Sequence, residues 1–284
     1  MNPLFKSALL KADQLRRHLG LNMFQPVNIF DVCQELKLTV KFVDVSMEGM
    51  YVKQENSAYI LLSNQRPLPR RCFTCAHELG HHLFGHGTRL DNITHKADEG
   101  HPYDSDELLV DSFAGALLMP IVGIETALVK RKWSIQDISP IEFYTLSSNF
   151  GVGYQTLVHH CKTNRLINDS VASRLLKATP QKILRSLFGQ SAVNSYFKII
   201  DRESKLTVID LEVSNYLILP PDVEIEGDHL KLRQLTTEGT AYEAIKPGIV
   251  RAASADGSIS SFVRIQNFQY EGLAEYRHLE NIID

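Results

Sequence analysis

The segment Phe73-Thr74-Cys75-Ala76-His77-Glu78-Leu79-Gly80-His81 holds the side chains best suited to chemistry. Its His-Glu-x-x-His core lies in a stretch whose periodicity predicts a helix over residues 70–84. At about 100° per residue, His77 and His81 come within roughly 40° of each other on one face. Two imidazoles so placed can share one Zn²⁺ at about 2.0–2.1 Å. Glu78 lies on the adjoining strip, where it can take a proton from the attacking water as general base. A catalytic zinc needs a third protein ligand. Glu107, 26 residues after His81, stands in the first turn of the next predicted helix and is the candidate. Asp111, one turn further on the same face, is placed to accept the ring N–H of a ligating histidine.

A coincidental acidic helix face would explain these charges but not their joint spacing, which is that of thermolysin-like zinc peptidases. The chain also resembles the ImmA/IrrE metallo-endopeptidases. The resemblance is carried by Arg71-Cys-Phe-Thr-Cys-Ala-His-Glu-Leu-Gly-His-His-Leu-Phe-Gly-His86 and by Glu107 through Phe113-Ala-Gly-Ala-Leu-Leu-Met-Pro120. It extends upstream to Pro26-Val27-Asn28-Ile29 and weakens after Pro120. One departure stands out: many members have Glu-Ala-Asn or Glu-Ala-Asp before the Phe-Ala pair, whereas this chain has Leu109-Val110-Asp111. That leaves Glu107 as the nearby acid suited to ligation. The resemblance implies a zinc endopeptidase that cuts or inactivates helix-turn-helix repressors in stress, mobile-element or phage-related circuits.

Other residues compete for roles. Cys72 and Cys75 form Cys-x-x-Cys, but on a helix they point away from His77 and His81, so inert packing thiols are expected. His82 and His86, projected about 140° and 180° from His77 on a continuing helix, are read as surface or packing residues. His95 and His101 lie in the polar loop at 88–104 with Tyr103 nearby. His101 or Tyr103 could stabilise the oxyanion formed when water attacks a peptide carbonyl, against the plainer reading of solvated loop residues.

These side chains require elements to hold them. The spacing of Leu4, Ala8, Leu9, Ala12 and Leu15 predicts an amphipathic helix ended by Gly20. A helix at 29–36 and short strands at 39–45, 51–52 and 58–62 should precede the histidine helix. Ser105 should open a helix running to Met119 and stopped by Pro120. Short helices follow, and residues 146–160 suggest a helix-turn-helix. That segment is read as substrate docking ahead of nucleic-acid contact: residues 121–170 hold five Lys or Arg against four Asp or Glu, too balanced to track phosphates. From about residue 191 the texture turns to alternating, β-branched runs. The expected architecture is α+β: a zincin-like peptidase core over 1–120, a helical helix-turn-helix-like extension over 121–168, and a β-rich C-terminal domain over 190–284, with a linker between 168 and 189.

The 284 residues, 44% hydrophobic and 22% charged, exclude disorder and low complexity. Thirty basic against thirty-three acidic side chains, net −3, exclude a general pull toward nucleic acid or an anionic membrane. No apolar stretch is expected to reach the roughly 18 residues of a membrane span, and residues 1–21 do not read as the uninterrupted apolar run of a secretion signal. Four unevenly spaced cysteines fit a reducing compartment. Together these features predict a cytoplasmic single-zinc endopeptidase acting on a protein substrate, with no membrane partner. The rival is a zinc-containing regulator that binds a repressor or DNA without cutting it.

Overall fold

The computed structural model describes residues 2–55, 57–91, 104–189 and 195–279. Contacts divide the chain into two compact units: Met1–Gly123 with Glu271–Tyr276, and Ile124–Tyr270 with Arg277–Asp284. Helices are combined with small sheets, α+β overall.

The first unit opens with α1 (Pro3–His18). The Asn2 side chain accepts from the Leu4 N–H, and Pro3 sits in the first turn, where a missing N–H costs nothing. α2 (Ile29–Glu35) is capped the same way by Asn28. Strands β1 (Thr39–Val43), β2 (Gly49–Lys53) and β3 (Ala58–Ser63) lead into α3 (Leu68–Phe84), then β4 (Arg89–Asp91) and α4 (Ser105–Leu118). α3 ends because Gly85 takes a left-handed conformation, φ 77°, open to glycine at no steric cost. α4 starts where the Asp104 side chain accepts from the Asp106 N–H.

α5 (Ile121–Arg131) runs from the first unit into the second. The second continues with α6 (Pro140–Phe150), α7 (Tyr154–Thr163), α8 (Asp169–Leu176) and α9 (Pro180–Phe188). A full capping box between Ser139 and Glu142 starts α6, and Gly151, φ 67°, ends it. The stretch expected to be a linker is therefore corrected: α8 and α9 fill it and bury Val171, Leu175, Ile183, Leu184 and Leu187. Strands β5 (Phe197–Ile199), β6 (Val208–Glu212), β7 (Tyr216–Leu219), β8 (Val223–Glu226), β9 (Leu230–Thr236), β10 (Gly239–Ala244), β11 (Gly248–Ser254) and β12 (Ser260–Gln266) complete this unit. They form two four-stranded sheets, β5-β7-β10-β9 and β6-β12-β11-β8. Both contribute to one apolar core that includes Ile209, Leu211, Leu217, Leu219, Val250 and Val263.

The chain then returns to the first unit as β13 (Gly272–Leu273), antiparallel to β1. The sheet order there is β13-β1-β3-β2-β4, with β1 and β3 parallel and the other pairs antiparallel. α3 packs on β2 and β3 with one side and on α4 with another, while α4 also packs on α1. A further correction concerns the apolar runs. Ser105–Arg131, which takes in α4 and α5, is long and apolar enough by length and composition to cross a membrane, although 67% of its apolar window is buried inside the protein.

Candidate metal centre

α3 presents His77, Glu78 and His81 on its buried side, and their exposures are 2%, 0% and 0%. The Nε2 atoms of His77 and His81 lie 3.2 Å apart. From α4, Glu107 places Oε2 3.4 Å from His77 Nε2 and Oε1 3.7 Å from His81 Nε2. One ligand atom from each of the three residues therefore falls within 4.8 Å of the others. Ligands held about 2.0–2.1 Å from a tetrahedral ion stand about 3.3–3.4 Å from one another. The three separations fit one zinc-sized cation after small adjustments.

The outer nitrogens matter as much as the inner ones. Asp111 Oδ1 lies 2.7 Å from His77 Nδ1, so the ring donates there and turns its Nε2 lone pair inward. On the other histidine, His81 Nδ1 lies 2.8 Å from His86 Nδ1. His86 was projected as though α3 continued, and that projection is corrected here. α3 stops at Phe84, Gly85 reverses the chain, and the N–H groups of Gly85 and His86 bond back to the carbonyls of His82 and His81. This 5→2 and 6→1 pairing sets the residue after the glycine against the residue five before it. His82 turns elsewhere: its Nδ1 lies 3.0 Å from the Tyr51 hydroxyl, and burial together with Lys53 lowers its pKa.

Two glycines let these elements approach. A Cβ at Gly80, inside the motif, would sit 2.9 Å from Val110 Cβ and 3.2 Å from Phe113 Cδ1, so a bare backbone is what allows α4 close enough for Glu107 to reach the histidines. A Cβ at Gly49 would lie 2.5 Å from Thr74 Cγ2 and 3.0 Å from Glu78 Oε1, so β2 crosses α3 beside the general-base candidate. Glu48, next to it, is held by Arg66 Nε at 2.8 Å and Arg70 Nε at 2.7 Å. Neither glycine role was read from the sequence, although Gly80 inside the motif was a usable signal. α4 is fixed in turn by Arg16, fully buried, whose Nε donates to the Leu117 carbonyl at 2.9 Å and whose Nη1 donates to the Asn22 and Gln25 carbonyls. Burial lowers the Arg16 pKa to about 10.

Cys75 Sγ lies 3.7 Å from Cys33 Sγ, both fully buried, and all four cysteines are free. Burial first, then Cys33, pushes the Cys75 thiol well up, which keeps it protonated and unreactive. His95, His101 and Tyr103, the loop residues considered for the oxyanion, lie outside the described residues.

Residues 33–162 match the family model Peptidase_M78, described as the IrrE N-terminal-like domain. No curated protein matches the chain. Among solved structures, a Mycobacterium tuberculosis transcriptional regulator is similar at 16% identity and a TM-score of 0.35, over 54% of this chain and 46% of that one. The matched residues take in α3, α4 and His77, Glu78, His81, Glu107 and Asp111, and over that stretch the chain matches the ImmA/IrrE family, a family of metallopeptidases.

Proposed function

We propose that the chain is a zinc-dependent endopeptidase with a zincin-like core, working in the cytoplasm, and that its substrate is a helix-turn-helix repressor or a similar regulatory protein of a stress, mobile-element or phage-related circuit. The observation that carries the reading is the convergence of His77 Nε2, His81 Nε2 and the Glu107 carboxylate within 4.8 Å, inside a peptidase-family domain. Two imidazoles and a carboxylate are the donor set of a catalytic zinc, which keeps a fourth position open. A cation held there would polarise the scissile carbonyl and acidify a water.

The protein's own groups do the rest. Asp111 Oδ1 holds the His77 proton at Nδ1, so that ring keeps one orientation and one free lone pair. Glu78, on the same buried side of α3, takes a proton from the attacking water on a carboxylate oxygen and passes it to the leaving amine. Burial of His77, Glu78 and His81 strengthens the electrostatic interactions that these groups make.

Glu78→Gln tests the assignment. The variant should bind zinc as the wild type does and lose cleavage of a repressor substrate by about 10²- to 10⁴-fold, the usual contribution of a positioned base. Unchanged cleavage would remove Glu78 from the mechanism. A zinc-loaded wild type that cuts no repressor, yet releases it from DNA as well as Glu78→Gln does, would favour the binding regulator instead.

A further inference from the structure

His86 lies just beyond α3 with its ring half-buried between two neighbours. Phe84 stacks near it at 6.1 Å between centroids and 25° between planes, and His81 meets it edge-on at 5.0 Å. Its Nδ1 is 2.8 Å from His81 Nδ1, and its Nε2 is 3.8 Å from Asp106 Oδ1 in the first turn of α4. Two neutral imidazole nitrogens at hydrogen-bond distance must divide the roles of donor and acceptor. His81 Nε2 faces His77 and Glu107, so it can offer a lone pair to a cation only when the His81 proton sits on Nδ1. His81 then donates, His86 Nδ1 accepts, and the proton of His86 stands on Nε2, the nitrogen turned to the Asp106 carboxylate.

We propose that His86, oriented by Asp106, is the positioning residue that fixes the tautomer and ring angle of His81, as Asp111 does for His77. The inference rests on the metallopeptidase reading and deepens it. Each ligand imidazole would have its own outer partner, one supplied directly by α4 and the other relayed through the turn after α3. Asp106 and Glu107 are adjacent, so one helical turn would supply both a ligand and the anchor of the relay.

The test is Zn²⁺ affinity of the full chain by chelator competition, with the histidine tautomers of the zinc-loaded protein read by ¹⁵N NMR. His86→Ala should lower the affinity about 10- to 100-fold, as loss of an outer partner does. His86→Gln, whose amide oxygen can accept in place of Nδ1, should restore most of it, a rescue that loss of ring packing alone would not allow. Asp106→Asn leaves the stacked ring in place and should fall toward the lower end of that range, so the proposal stays testable if His86→Ala folds poorly. His81 should carry its proton on Nδ1 in the loaded wild type. Equal affinity in wild type, His86→Ala and Asp106→Asn, or His81 bound through Nδ1, would overturn the positioning role alone. A wild type that takes up no Zn²⁺ would overturn the metallopeptidase reading, and this inference with it.

Discussion

In the second unit, buried charge is matched on the spot. Asp210 receives Arg264 Nε at 2.7 Å and Nη2 at 3.1 Å, and Arg277 Nη2 at 2.9 Å, while Arg131 forks onto Asp201 with two contacts of 2.7 Å. In the first unit Glu48 is likewise met by Arg66 and Arg70, but the acids that α4 turns to α3 meet imidazoles: Glu107 and Asp111 at His77, Glu107 at His81, Asp106 at His86. An arginine and a carboxylate neutralise one another and lock a fold. A carboxylate beside two inward-facing imidazole lone pairs gathers acceptors around one point, and that arrangement is completed by a cation from outside. The difference separates charge used for stability from charge held ready for chemistry.

The largest effect should come from breaking a matched cluster. Asp210→Ala leaves Arg264 and Arg277 buried without their shared acid, which costs about 3–5 kcal/mol and should appear as a lower urea midpoint. Glu107→Ala should do the reverse. Zinc binding is lost, while the metal-free midpoint shifts by about 1 kcal/mol or less, the worth of an acid at a helix start. If the two variants shifted the midpoint equally, the contrast between the units would fail.

The two glycine types sharpen it next. Gly80→Ala forces a methyl against Val110 and Phe113, an overpacking cost of about 1–3 kcal/mol, and should weaken zinc binding as α4 is pushed off α3. Gly151→Ala meets open space but holds φ at 67°, so it should cost about 1–2 kcal/mol through the backbone alone. Its zinc affinity should match the wild type. A Gly80→Ala protein with full affinity would show that the helix separation does not set the reach of Glu107.

The contrast also explains what could be read from the sequence. His77 with His81, and Glu107 with Asp111, are pairs four apart on regular helices, so local periodicity alone places each pair on one face. His86 escaped because its position depends on one φ angle at Gly85, which turns a separation from His81 of about 140° on a continuing helix into a 2.8 Å contact. α9 escaped despite its Thr179-Pro180 start, and the short strands β8 and β13 escaped because strands of four and two residues take their identity from distant partners. Glu224 of β8 pairs with Ala253 and Lys41 of β1 with Leu273 of β13, pairings that no local pattern announces.

Asp111→Ala compares an outer partner in the first unit with the matched charges of the second. Its side chain is 46% exposed, so its removal should leave the metal-free midpoint nearly unchanged. Zinc affinity should fall about 10- to 100-fold, measured under chelator titration. Equal affinity would make Asp111 a surface charge with no part in orienting the His77 ring.

The smallest effect is confined to alkaline solution and to the second unit. Tyr144 stacks on Phe197 at 4.1 Å and donates its hydroxyl to the Phe197 carbonyl at 2.7 Å, and burial pushes its pKa well above the ordinary value near 10. Because the folded pKa is the higher one, the unfolded chain gives up this proton first. The contribution is therefore fully present below pH 10 and is lost as pH rises toward the folded value. One such group steepens the loss by about 1.4 kcal/mol per pH unit once the unfolded tyrosine is ionised. Tyr144→Phe should cost about 0.5–1.5 kcal/mol at neutral pH for the lost hydrogen bond, and its stability should then fall less steeply than the wild type's above pH 10. Urea midpoints at pH 8, 10 and 11 would show this, and parallel declines in the two proteins would mean that Tyr144 ionises as readily in the folded state as in the unfolded chain.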